Sequence, residues 1–326
     1  MKRGCILGCL GFVLFVFLAV VGLVLLMEST VGGYLRPVPR VDLASTFGTD
    51  YPVIIRIDPS SDAFSNVTEE ALQGAPWFVE LFVPYEIYVV MGVDEERSKR
   101  EWTAAISSRR FGKVLTWYLP IEDWDLGHGL RVHDVSAQSN GVIMVTADGS
   151  IDEDTRKAAD QDWKAAGPEP YALTKEHSFE MVLDNTQAGA FLAAGPFIRE
   201  WWGPKSEDEP GDRKDDEVVL SQEEVDTLLY RVSALRILGD APRKEELEVL
   251  LEVRCPDQEA AEAVHAVLER LQEQMIAALK EEHEDARVEG ALERDGAEIA
   301  GLLRVYGYEE ALENATEEAV EGMPVR

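Results

Sequence analysis

The sequence predicts an α+β protein, in which a single N-terminal transmembrane helix is followed by a water-soluble domain of mixed strands and helices. Residues 5–27 contain no charged side chain. Beyond them, short runs rich in β-branched residues alternate with segments whose apolar residues recur every three or four positions. The chain is 46% hydrophobic and 29% charged, which is enough apolar material to bury a folded core.

The uncharged segment 5–27 is long enough to cross a bilayer, since about 20 apolar helical residues span ~30 Å of hydrocarbon. A cleavable signal peptide usually has an apolar stretch of only about 7–15 residues, so we expect this one to be kept as an anchor. Lys2 and Arg3 precede the segment and Glu28 follows it. The positive-inside rule therefore predicts a cytoplasmic N-terminus and an extracytoplasmic domain, periplasmic or extracellular.

The remaining chain divides into three regions by composition. A tether containing Gly and Pro, without any apolar period, precedes two α+β halves, and a polar, acidic loop lies inside the second half. The predicted boundaries are an anchor at 1–27, a tether at 28–51, halves at 52–175 and 176–326, and the acidic loop at 205–217.

In the first half, β-branched and aromatic runs bounded by Pro, Gly or Asp predict strands at 53–57, 86–93, 113–119 and 141–147. Helices are predicted at 94–109 and 152–166. The first of these rests on Asp94 as N-cap and on Trp102, Ala105 and Ile106 sharing a helical face.

The second half has clearer local signals. Ser221 and Glu224 match a helix capping box, and apolar residues from Ala260 to Leu279 form a continuous helical stripe. Gly296 lies between two apolar runs and indicates a tight hairpin turn. The predicted elements are strands at 179–184, 232–238, 246–254, 286–292 and 297–305, and helices from 221, at 257–283 and at 309–320.

The two halves invite comparison, because EIYVVMGVDEERSKREWTAAI in the first loosely matches EVLLEVRCPDQEAAEAVHAVL in the second. In both, a β-rich run ends just before an aspartate, Asp94 or Asp257. This match favours a duplicated β-β-α-β-β-α unit. Coincidence between two ordinary α+β segments is the alternative.

Charge and cysteine content exclude several classes of function. Asp and Glu number 62 against 31 Lys and Arg, for a net charge of −31, so nucleic acid is not an expected partner. Cys5 and Cys9 lie in the apolar segment, which leaves Cys255 as the one thiol of the soluble part. Neither an internal disulfide nor a four-cysteine zinc site can form there.

One constellation points to carbohydrate chemistry. Glu122, Asp123 and Asp125 lie beside aromatic residues, and carboxylates next to aromatic platforms are typical of sites that bind or cleave glycans. The neighbouring aromatic residues are Trp117, Tyr118 and Trp124. Aromatic residues at this density also occur in ordinary cores, so both interpretations stay open.

Two metal hypotheses are weaker. His128, His133 and Asp134 carry suitable ligands, but the two histidines are five positions apart and so point to opposite faces of a strand, which means that only an irregular loop could join them. The segment from Asp148 to Asp152 resembles half of a calcium-binding loop, yet the positions that need an aspartate and a bidentate glutamate are Met144 and Thr155. We expect a turn that leads into a helix there.

The sequence contains no serine-nucleophile elbow, phosphate-binding glycine loop or paired-histidine metalloprotease motif. No catalytic, cofactor-binding or metal-binding residue is therefore predicted, and no cofactor. The prediction is a membrane-anchored, extracytoplasmic binding or structural protein of unknown ligand, inserted through residues 5–27, with an envelope protein or glycan as its partner. The alternative is an envelope enzyme that binds or hydrolyses glycans with Glu122, Asp123 and Asp125.

Overall fold

The computed structural model of the protein describes residues 40–59, 61, 84–94, 96, 98–108, 129–137, 141–162, 170–202, 220–243, 246–282 and 287–306. The predicted anchor at 5–27, the strand at 113–119, the acidic loop at 205–217 and the helix at 309–320 lie outside these residues. In the described part of the chain, no helix is long and apolar enough to cross a membrane.

The described residues form a mixed α/β fold built on one large antiparallel sheet. Its ten strands follow the spatial order β4-β5-β3-β2-β1-β6-β7-β8-β10-β9. The strands are β1 (Val53–Ile57), β2 (Glu86–Val93), β3 (Lys99–Ser107), β4 (Arg131–Ala137), β5 (Val142–Ser150), β6 (Phe179–Asp184), β7 (Ala234–Arg243), β8 (Glu246–Arg254), β9 (Arg287–Asp295) and β10 (Glu298–Tyr306).

Five helices lie among the described residues, and they cover both faces of the sheet. They are α1 (Leu43–Phe47), α2 (Glu153–Asp162), α3 (Gly189–Trp202), α4 (Gln222–Arg231) and α5 (Gln258–Glu282). Successive residues of a strand point to opposite faces. Accordingly, Val53 of β1 packs against α3, whereas Ile54 packs against Leu43 of α1. The centre of the sheet is therefore covered from both sides.

Several predictions are confirmed. Strands β1, β2, β6 and β8 have the predicted bounds, and the Ser221–Glu224 capping box opens α4. In α5, Ala261 and Val264 are fully buried against the sheet, as the apolar stripe requires. Gly296 has φ +59° in the turn between β9 and β10, a left-handed conformation that glycine adopts without strain. These elements all carry strong local signals.

The helix predicted at 94–109 is wrong, because residues 99–107 form strand β3. The Asp94 carboxylate accepts hydrogen bonds from the backbone N–H groups of Ser98 and Lys99 at 2.6 and 3.1 Å. These bonds close a tight turn and start the return strand, where they would have capped a helix. Trp102 then pairs with Met91 of β2 in an antiparallel ladder.

Among the described residues, the first half runs β1-β2-β3-β4-β5-α2 and the second β6-α3-α4-β7-β8-α5-β9-β10, and neither order is the predicted β-β-α-β-β-α. Strand β4 and most of α3 carry no strong sequence signal, since Gly195 and Pro196 interrupt the helix and His133 sits at a bulge in the strand.

Residues 40–51, expected as tether, instead pack on the sheet. Leu43 is 0% exposed and Ala44 is 2% exposed. Their apolar side chains fill the face opposite α3.

Candidate functional site

A cleft of about 510 Å³ opens at one end of the sheet, where β1 begins and β2 and β6 end. We call it the terminal cleft. Four chain segments form it, and the last of them runs from the end of β6 into the first turn of α3. Their lining residues include Thr49, Asp50 and Tyr51 before β1, Val93 and Asp94 after β2, and Pro170 and Tyr171 before β6.

The lining of the terminal cleft is acidic. Asp50, Asp94 and Asp184 all contribute to it, and none of its described lining residues is Lys, Arg or His. Asp184 accepts hydrogen bonds through one carboxylate oxygen, Oδ1, from the backbone N–H and hydroxyl of Thr186 at 3.0 and 2.7 Å. These hydrogen bonds fix the turn that follows β6, so the Asp184 carboxylate is held in place at the cleft.

Asp94 is held in a similar way. The Ser98 hydroxyl donates to its carboxylate at 2.7 Å, and this hydrogen bond is the main reason that its pKa lies below the ordinary value. A lowered pKa keeps the group ionised at neutral pH. The terminal cleft therefore presents fixed negative charge.

Two tyrosines give the cleft aromatic walls. The ring of Tyr51 lies against Gly92, within 3.4 Å of where a Cβ on that glycine would be. Arg254 and Arg236 hold the ring of Tyr171, with guanidinium carbons 4.2 and 4.9 Å from its centre. Burial raises the pKa of Tyr171 to about 12, so its hydroxyl stays protonated.

At the other end of the same strands lies a buried ionic cluster, which we define as Arg56, Asp58, Glu86 and Glu180. Arg56 donates to Glu86 at 2.6 Å and to Asp58 at 3.3 Å, and lies 3.7 Å from Glu180. The backbone N–H of Thr174 donates to Glu180 at 2.8 Å. The buried ionic cluster has structural partners on every side, so we assign it a structural role.

His177 and Asp240 form a third polar group, half-buried beside the ionic cluster. Their Nδ1 and Oδ2 atoms are 2.5 Å apart, and Ser178 donates to the other carboxylate oxygen through its N–H and hydroxyl at 2.9 and 3.0 Å. In a catalytic triad the serine contacts the imidazole. Here it contacts the carboxylate, so this geometry does not activate a nucleophile.

The structure does not bring the sequence-predicted candidates together at a site. Glu122, Asp123, Asp125 and His128 lie outside the described residues, so the glycan hypothesis stays a prediction. His133 lies on edge strand β4 with its side chain 56% exposed, 3.9 Å from the carboxylate of Asp148.

The remaining metal candidates lie in different elements. Asp134 follows His133 in β4, whereas Asp152 accepts hydrogen bonds from the N–H and hydroxyl of Thr155, both at 2.7 Å, at the start of α2. This is the turn into a helix expected from the sequence. Among the described residues, no group of three His, Cys, Asp or Glu side chains is placed to hold a metal ion.

Sequence reasoning missed the terminal cleft and the His177–Asp240 pair. The pair is separated by 63 residues along the chain, and the cleft joins segments more than 100 residues apart. The sequence predicts Asp94 as a helix cap and not as a cleft residue. No local pattern could have shown which distant segments meet it.

Comparisons with known proteins identify no family for this chain. No family model matches it, and no curated protein matches it. Among solved structures it is similar to crystal forms III and I of TP0453, each with a TM-score of 0.37 and 9% identity. The matches cover 87% and 86% of this chain and 98% of the other. Values this low carry no conclusion about function.

Proposed function

We propose that the chain is a single-pass membrane protein whose extracytoplasmic domain binds a small organic cation in the terminal cleft and catalyses no reaction. The observation that carries this proposal is the lining of the cleft, where Asp50, Asp94 and Asp184 meet no basic side chain among the described lining residues. Its volume of about 510 Å³ lies in the range that suits a small molecule.

The expected ligand combines a positive charge with an apolar body. A cation about 4 Å from one carboxylate gains roughly 1 kcal/mol in water and more where water is partly excluded. The ring of Tyr51 offers such a ligand a π face and apolar contact, whereas the Tyr171 ring is already contacted by Arg236 and Arg254 and offers apolar contact alone. An anionic ligand would meet repulsion from all three aspartates.

The membrane part of the proposal rests on the uncharged segment 5–27, with basic residues before it and Glu28 after it. By the positive-inside rule, we propose that the domain lies in the periplasm or outside the cell. A binding role agrees with the polar contacts around the cleft, since Asp94 and Asp184 are held in place by hydrogen bonds from Ser98 and Thr186.

We also propose that the domain arose by duplication, in a form different from the one predicted. Counted outward from the centre, the first half has the strand order β1-β2-β3-β5-β4 and the second half has β6-β7-β8-β10-β9. Strands β1 and β6 pair antiparallel where the halves meet. A repeated order of five strands supports a duplicated five-stranded unit.

The test compares benzylamine with benzyl alcohol, which has nearly the same shape and no charge at neutral pH. We expect isothermal titration of the full chain in detergent to show tighter binding of benzylamine. Asp50→Asn removes an exposed charge at the cleft, and a loss of roughly 1 kcal/mol should weaken benzylamine binding about five-fold. The matched control is Asp295→Asn, an exposed aspartate in the β9–β10 turn, which should leave binding unchanged.

Equal binding of the two compounds would show that the cleft does not select a cation. Equal loss in Asp50→Asn and Asp295→Asn would show that only the net charge of the protein matters. Because the charges in the cleft are partly exposed, the preference for benzylamine should also weaken as salt is raised from about 0.01 to 0.15 M.

A further inference from the structure

Residues 40–51, which we call the strap, lead from the segment that follows the predicted anchor to the terminal cleft. The strap crosses the face of β1 and β2 opposite α3. Leu43 and Ala44 are buried there, and the ring of Phe47 stacks on Tyr88 with centroids 6.4 Å apart. The Tyr88 hydroxyl donates to the carbonyl of Gly48 at 2.7 Å. The middle of the strap is thus docked on the sheet.

The start of the strap is held mainly by charge. Arg40 lies 2.5 Å from Asp58 and Asp42 lies 3.0 Å from Lys175. The Arg40 and Lys175 side chains are 46% and 36% exposed. The Asp58 side chain is 8% exposed, but both cations are partly exposed, and ion pairs with an exposed partner contribute less stability than fully buried pairs, so this end of the strap is held less firmly than its buried middle. It is also the end nearest the predicted anchor.

The far end of the strap is a wall of the terminal cleft. Thr49, Asp50 and Tyr51 line the cleft, and Pro52 packs closely on the first residue of α3, where a Cβ on Gly189 would lie 2.8 Å from it. Val182 of β6 lines the same cleft, is 3% exposed and belongs to the apolar cluster that contains Leu43. Lifting the strap would therefore expose Val182 and remove one side of the cleft.

The strap also sets how far the domain can stand from the bilayer. Residues 28–39 separate the predicted anchor from the docked strap, and twelve extended residues span at most about 40 Å. With the strap released, residues 28–51 would span about 80 Å. Docking of the strap and reach from the membrane are therefore linked.

Resting on the proposed function, the geometry points to a device in which the strap is a releasable wall of the terminal cleft. A bound cation touches the strap and favours the docked state. Because cation binding and strap docking are coupled, force on the anchor or detachment of the strap opens the cleft and weakens cation binding. Occupancy of the cleft thereby controls the distance of the domain from the membrane.

The test uses Val182→Cys as a buried reporter in the full chain reconstituted in vesicles. Labelling by a water-soluble thiol reagent reports release of the strap, with the chain lacking this substitution as background because Cys255 is 1% exposed. Arg40→Glu with Lys175→Glu turns both attractive pairs of the strap into repulsive ones. We expect this double change to raise the labelling rate about 10-fold. The matched control, Lys157→Glu, disrupts the exposed pair with Glu153 on α2 and should not raise it.

Unchanged labelling in the double variant, or an equal rise in the Lys157→Glu control, would overturn the strap proposal whatever benzylamine does. In the chain with an intact strap, benzylamine should slow labelling, and benzyl alcohol should not. Fast labelling in the double variant with no effect of benzylamine would keep the strap as a releasable wall and reject the cation as its ligand.

Discussion

Arg56→Met is expected to destabilise the domain strongly. The Arg56 side chain is 5% exposed, and Glu86, Asp58 and Glu180 around it are 3%, 8% and 0% exposed. Methionine approximates its length but carries no charge, so three buried carboxylates would lose their central cation. Removing one partner of a buried ion pair costs about 3–5 kcal/mol, because the remaining charge is uncompensated. We expect a loss in the upper part of that range.

Urea unfolding of a fragment that starts at residue 40 measures this loss. We expect the fragment to be soluble without detergent and monomeric or weakly dimeric. At a slope of about 2–3 kcal/mol per M, a loss of about 4–5 kcal/mol should lower the midpoint by roughly 1.3–2.5 M. Arg40→Met is the matched control, because Arg40 pairs with the same Asp58 but is half-exposed, and it should cost less than about 1 kcal/mol. Adding Glu86→Gln to Arg56→Met should restore part of the stability. Equal midpoints for Arg56→Met and Arg40→Met would refute the reasoning.

Three further outcomes are expected from the same fragment. Leu268→Ala should cost about 2–3 kcal/mol in urea unfolding because its half-buried side chain packs on the α5 core, whereas Met275→Ala, at a site 42% exposed, should cost far less. Burial raises the pKa of Cys255 to about 12, so thiol reagents at neutral pH should label it only on unfolding, and fast labelling would contradict its packing. Burial acts to raise the pKa of Asp42, but hydrogen bonds from Ser45 of α1 and the charge of Lys175 outweigh it and lower this pKa from 3.8 to about 2. The stability that the ionised Asp42 contributes is complete above the unfolded pKa and is lost as the pH falls from about 4 to 2. Over that range, proteolysis within the strap should accelerate more in the unsubstituted fragment than in Asp42→Asn.

The sequence predicts elements well where the local pattern and the tertiary environment agree. Strand β1 is a short, mainly β-branched run at the centre of the sheet, and apolar side chains on both of its faces, Val53 and Ile54, pack against helices. Helix α5 has one continuous stripe and one buried face. In each case the local preference and the packing favour the same structure.

Strand β3 shows why the pattern alone is insufficient. Trp102, Ala105 and Ile106 share a helical face, but Trp102, Ala104 and Ile106 also alternate as a strand requires. The choice depends on the backbone between β2 and β3, where Asp94 closes a turn and brings the two strands side by side. The ladder with β2 and β5 then outweighs the helical preference of the segment.

The terminal cleft and the strap could not be predicted, because each depends on contacts between distant segments. Residues 40–51 follow a stretch that contains Gly and Pro and have no clear apolar period, which is typical of a tether. What docks them is a complementary surface made by Tyr88 of β2 and Lys175 before β6. The sequence contains these residues but does not show that they are in contact in the folded protein.

The buried ionic cluster explains how the two halves find one register. Arg56 of β1 lies directly opposite Glu180 of β6, at the seam where the two sets of five strands pair. Shifting β6 by one residue would turn Glu180 to the face covered by α3 and leave Arg56 buried without that partner. Apolar neighbours such as Ile54 and Val182 tolerate exchange of contacts, but a buried charge without a partner costs several kcal/mol. The buried ionic cluster therefore contributes less to the free energy of unfolding than to the free-energy difference between the native strand register and slipped registers. The strap adds to this distinction, since the backbone N–H of Leu43 donates to Glu86 only when β1 and β2 are in the native register.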